Sequence, residues 1–77
     1  MFSARIDDRY AVIRVRGHLD RLGAEDVVAV VERLCGQGHG GITVEARSRA
    51  TADPEATALL GELAGRLAER GVLLAIA

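Results

Sequence analysis

Lysine and tryptophan are absent from the 77 residues, while cysteine, proline, phenylalanine and tyrosine occur once each. No apolar run approaches the roughly 18 residues that a membrane span requires, so membrane insertion is not expected. The single cysteine, Cys35, has no internal disulfide partner and cannot by itself build a structural zinc site, which suits a reducing compartment. With only Phe2 and Tyr10 to stack on bases and a formal net charge of −1, the chain has neither the platforms nor the field that nucleic-acid binding uses. Acidic residues soon follow Met1 to Arg5, with no basic flank leading into an apolar core and a small-residue cleavage site. A cytoplasmic protein is therefore expected.

What is present fits a folded domain. Hydrophobic residues make up 49% and charged residues 27% of the chain, a balance that excludes disorder. Residues 1–77 are expected to form one domain, and a domain this small buries only about 60% of its unfolded-chain surface, so its stability should be modest. All 10 basic residues are arginine, which reads as the codon usage of a GC-rich genome; Arg5, Arg9, Arg14, Arg16 and Arg21 fall in the first third, interleaved with Asp7, Asp8 and Asp20.

Phe2 to Asp7 reads as a strand, Asp7 to Arg9 as a turn, and Tyr10 to Arg16 as a second strand with Ala11, Ile13 and Val15 on one face. After the loop Gly17-His18-Leu19-Asp20, apolar residues Ala24, Val27, Val28, Val31, Leu34 and Cys35 recur at helical spacing. The glycine-rich run Gly36 to Gly41 ends that helix, and Ile42 to Ala46 alternates as a third strand. Asp53 and Pro54 predict a second helix start, with the Asp53 carboxylate capping free N–H groups. Ala56, Leu59, Leu60, Leu63 and Leu67 form its apolar stripe and Gly71 its end. Val72 to Ile76 is continuously apolar, the pattern of a strand covered on both faces. The order β-β-α-β-α-β predicts an α/β fold in which helices cross between parallel strands of a mixed sheet.

Chemistry is hard to find. The glycine run follows a helix and precedes a strand, the reverse of a phosphate-binding loop. Cys35 lies on an apolar stripe, where a free cysteine acts as a small hydrophobe. His18 and His39 sit in glycine-flanked loops, and no motif joins either to a carboxylate or hydroxyl, so both read as solvated. Glu45, Asp53 and Glu55 are carboxylates that one end of the sheet could gather, yet so short a chain has little wall for a water-excluding cleft. No enzymatic reaction, cofactor or metal is expected.

Three segments resemble the STAS domain, the fold of bacterial anti-sigma factor antagonists of the SpoIIAA-like family. Gly17-His18-Leu19-Asp20 looks like the family's Gly-Glu-Leu-Asp turn, with Gly23-Ala24-Glu25-Asp26 opening the helix that follows. Ile42 to Ala46 looks like the strand that usually ends in Asp-Leu, and the interval from Glu45 to Asp53 matches that to the signature aspartate. Asp53-Pro54-Glu55-Ala56-Thr57-Ala58-Leu59 stands where the family has an Asp-Ser-Ser-Gly-Leu-type signature, and Gly71 to Leu74 matches the next turn and strand.

The resemblance spans essentially the whole chain and implies a STAS-like mixed sheet with helices packed on it, truncated at the C-terminus relative to the family. It further implies a protein-interaction module, not an enzyme, whose partner is an anti-sigma factor of the histidine-kinase-like ATPase fold. Binding would release a sigma factor for transcription. The alternative it allows is an accessory subunit of a lipid-transport type ATPase. The partner-binding residues it implies are Gly17, His18, Asp20, Asp53, Glu55 and Thr57. Pro54 and Glu55 occupy the positions of the family's phosphorylated serine, so that switch is absent, and Glu55 is placed to carry part of a phosphoserine's charge at a helix N-terminus. An uncovered C-terminal strand would also invite pairing with another chain, as a homodimer or by docking on a larger subunit.

Overall fold

The computed structural model describes residues 3–46 and 51–76. Its elements are β1 (Ser3–Asp7), β2 (Val12–Arg16), β3 (His18–Leu19), α1 (Arg21–Gly36), β4 (Gly41–Ala46), β5 (Thr51–Ala52), α2 (Pro54–Glu69) and β6 (Leu73–Ile76). This is a mixed α/β fold with a four-stranded sheet ordered β1-β2-β4-β6. Strands β1 and β2 pair antiparallel, whereas β2, β4 and β6 run parallel, with β4 and β6 each reached through a helical crossover. Phe2, expected in the first strand, lies outside the described residues.

The β1–β2 hairpin turns where Asp7 Oδ1 accepts the backbone N–H groups of Arg9 and Tyr10, a local bond that short acidic side chains favour in turns. Tyr10 and Ala11 therefore belong to the turn, not to β2 as the alternation suggested. Ala11 stands at φ 53, yet it is buried and its carbonyl accepts the Thr43 N–H at 2.9 Å.

One face of the sheet is apolar and covered. Ile13, Val15, Ile42, Val44 and Leu74 point to it and meet Ala24, Val27, Val31 and Leu34 from α1 and Ala56, Leu60, Leu63 and Leu67 from α2 in a single core. The helical residues recur three and four apart, so each helix turns one stripe inward. Among the described residues no helix covers the opposite face. The register there puts Arg5 beside Arg14, while Arg14 Nε stands 3.8 Å from Glu45 Oε1. This one-sided cover corrects the reading of the last strand: within β6 only Leu74 is buried, and Leu73 and Ile76 are 69% and 53% exposed.

Helix α1 starts at Arg21, two residues before Gly23, because Asp20 caps it: Asp20 Oδ1 accepts the Gly23 N–H at 2.7 Å. Asp20→Ala should cost about 1 kcal/mol of stability, measured by urea unfolding; a loss under about 0.3 kcal/mol would show the cap to be dispensable. The helix ends as expected in the glycine run, where Gly38 takes φ 97, and Gly71 at φ 78 does the same after α2.

A second, two-stranded sheet was not expected. Strands β3 and β5 pair in parallel, His18 beside Thr51 and Leu19 beside Ala52. Backbone bonds from Thr51 N–H to Gly17 O at 3.2 Å and from Asp53 N–H to Leu19 O at 3.0 Å close it. Thus the Gly17 to Asp20 segment is a strand at its centre and not simply a loop.

Candidate functional site

The β3–β5 ladder decides where the polar residues meet. Gly17 takes φ 83, a conformation open to glycine, and turns the chain from β2 into β3. From there the His18 imidazole bridges the start of α2: its Nδ1 lies 2.7 Å from Thr51 Oγ1 and its Nε2 2.7 Å from Asp53 Oδ1. An ionised carboxylate only accepts, so Nε2–H donates to Asp53, and in the neutral ring Nδ1 is left to accept the Thr51 hydroxyl proton. His18 is therefore not the isolated solvated histidine expected from its flanking glycines. It is joined to both a carboxylate and a hydroxyl.

The same bond corrects the reading of Asp53. Its backbone occupies the N-cap position of α2, but its side chain makes no capping bond and is turned toward His18. The imidazole, a charged or dipolar partner, outcompetes the amide groups at the helix end for the same oxygen.

The remaining residues of the implied partner surface divide. Gly17, His18 and Asp53 come together, whereas the Asp20 carboxylate is engaged in capping α1. Glu55 lies on the side of α2 nearer α1, sharing a shallow cleft with Arg21, Leu59 and Glu62. Thr57 lies on the other side and borders an apolar cleft of about 140 Å³ formed with Val15, Val44, Leu60 and Ile76 at the C-terminal ends of the parallel strands. Glu45 does not join Asp53 and Glu55, because it belongs to the outer face with Arg14. Cys35 is half-buried against the core, the setting of a small apolar residue. His39 is half-buried, and its N–H donates to Leu34 O.

Thr51 is the member of the cluster that sequence reasoning missed. The one signal available was its place two residues before Asp53, and that matters only once β3 is known to lie alongside. Among the described residues no group of three or more His, Cys, Asp or Glu side chains is arranged to hold a metal, and no helix is long and apolar enough to cross a membrane. Comparison with protein-family models, with curated proteins and with solved structures finds no match to this chain.

Proposed function

We propose that this chain is a STAS-like protein-interaction module and not an enzyme, acting as an anti-sigma factor antagonist on a partner of the histidine-kinase-like ATPase fold. The observation that carries the reading is the His18 bridge. It ties the turn at Gly17 to Leu19 onto Thr51 and Asp53 just before α2, which brings Gly17, His18 and Asp53 of the implied partner-binding residues into one patch. Both ends of the bridge are half-exposed, His18 and Asp53 at 47% each, which leaves polar edges for a partner to meet. A mixed sheet and two crossover helices are compatible with an α/β fold of that kind. With Pro54 and Glu55 in place of the serines, binding would be constitutive and insensitive to ATP.

Affinity capture of the tagged protein from native cytosol tests this. A histidine-kinase-like ATPase should be retained with or without ATP, and Asp53→Ala or His18→Ala should weaken its binding at least about tenfold, since removing one member of a preorganised polar pair also loosens the other. Recovery of a transport ATPase instead would favour the accessory-subunit alternative, and phosphorylation that abolishes binding would overturn the constitutive reading.

One observation favours a second reading. A hydroxyl, an imidazole and a carboxylate in series is the arrangement that activates a nucleophile. A small hydrolase would turn over an activated ester, and His18→Ala and Thr51→Val would both abolish that turnover while Glu45→Ala left it intact. The open position of the three groups, which cannot exclude water, places this reading second.

A further inference from the structure

The two edges of the main sheet are unlike. Strand β1 carries Arg5 and Asp7, charges of the kind that discourage pairing with another strand. Strand β6, Leu73-Leu74-Ala75-Ile76, has no charge and no proline, and among the described residues nothing pairs with its outer side. Its hydrogen-bonding pattern fixes what is on offer. Leu73 N–H donates inward to Gly40 O, so in the alternation of a parallel ladder Ala75 also faces β4, and the N–H and C=O groups of Leu74 and Ile76 face outward.

We propose that a second copy of this chain occupies that edge, its β6 pairing antiparallel with the first about a two-fold axis through Ala75. The register follows from the bonds. A two-fold axis perpendicular to the sheet keeps each face on its own side, so residues of like face must stand opposite each other. Centred on Ala75, Leu74 faces Ile76 of the partner and Ile76 faces its Leu74, making two hydrogen-bonded pairs and four bonds in all. Centred on Leu74, the pairing would call on the Val72 N–H, which is already bonded to Leu67 O. The Ala75 register also covers Ile76, the core-face side chain left half-exposed in one copy.

The layer above accommodates the same axis. Helix α2 packs on β6, and the flank it turns away from α1 carries Thr57, Gly61, Ala64 and Ala68, with no charged side chain to meet its own copy. Because α2 packs on β6 and paired strands lie about 4.8 Å apart, the same axis brings the two copies of α2 alongside each other, antiparallel. Gly61 supplies clearance there: a Cβ at this position would meet nothing within 4 Å in the single copy. The contact is a strip as long as α2, about 24 Å for its 16 residues, and one helix plus one strand high. With a helix about 10 Å and a strand about 4.8 Å across, the strip covers roughly 360 Å² per copy and 720 Å² in all, the low end of the size range, so the pairing is weak and reversible and a dissociation constant on the order of 100 µM is the one to test.

Sedimentation equilibrium of the 77-residue chain across this range reads the outcome. The expected result is a reversible shift between 8.2 kDa and twice that mass. Ala75→Glu puts two like charges opposite each other on the axis at an exposed position, and Gly61→Leu fills the gap between the helices; each should raise the dissociation constant about tenfold or more while leaving the circular dichroism spectrum and melt of the single copy intact. Glu32→Ala, exposed on α1 and remote from the strip, should leave the dissociation constant unchanged. A chain that stays at 8.2 kDa up to about 1 mM, a protein-concentration range well above the expected constant, would overturn the proposal, as would a dimer that Ala75→Glu leaves undisturbed.

Discussion

Leu63→Ala is expected to lower the unfolding free energy by about 3 kcal/mol, the middle of the range for a leucine truncated in a closed core. Leu63 is 1% exposed and belongs to the cluster formed by both helices and the sheet. Its removal both withdraws apolar area from burial and leaves a hole that the neighbouring helix stripe cannot fill without losing its own contacts. For a domain of this length total stability is about 4 to 12 kcal/mol, so the loss takes a large share of it. The melting temperature should fall by roughly 12 °C or more, since each kcal/mol shifts a small domain by about 4 to 8 °C. Urea and thermal unfolding followed by circular dichroism check this. Leu59→Ala, at a half-buried position on the same helix, should cost under about 1.5 kcal/mol; equal losses at the two sites would mean that α2 does not pack by the face described.

Ala11→Val is expected to cost about 3 kcal/mol, and Ala11→Gly close to nothing. The contrast arises because Ala11 combines a left-handed backbone, φ 53, with 1% exposure. A β-branched residue is a steric outlier at positive φ, and two added methyl groups overpack a closed core; each effect is worth roughly 1 to 2 kcal/mol. Glycine relieves about 1 kcal/mol of backbone strain but gives up a buried methyl worth about 0.8 kcal/mol, so the two effects nearly cancel. Denaturant unfolding of both variants decides it: a tolerated valine would show that the turn relaxes to negative φ without disturbing the Ala11 carbonyl bond to Thr43.

The helices and long strands were readable because their residues repeat. Val27, Val31 and Leu34, or Leu60, Leu63 and Leu67, announce a helix stripe by spacing alone, and Ile42 and Val44 announce a strand. What failed were the features with no period. Strands β3 and β5 are two residues each, too short to alternate, and they exist only because Gly17 and Asp53 bring their backbones together. The candidate site inherits that failure. His18 and Asp53 were picked out one by one, but their bond spans 35 positions in the chain, and Thr51 had no mark of its own. The burial of β6 was misjudged for another reason: an unbroken apolar run is equally the signature of a strand covered twice and of one whose exposed apolar side chains await a neighbour.

The order of strands across the main sheet, β1-β2-β4-β6, is also their order along the chain. No strand has to be inserted between two that are already paired. During synthesis the β1–β2 hairpin has both partners available first, α1 can then lay β4 against a finished edge, and α2 does the same for β6. Growth is therefore vectorial, one crossover at a time, and apart from the charged outer edge of β1 each intermediate exposes the edge that the next segment to leave the ribosome will cover.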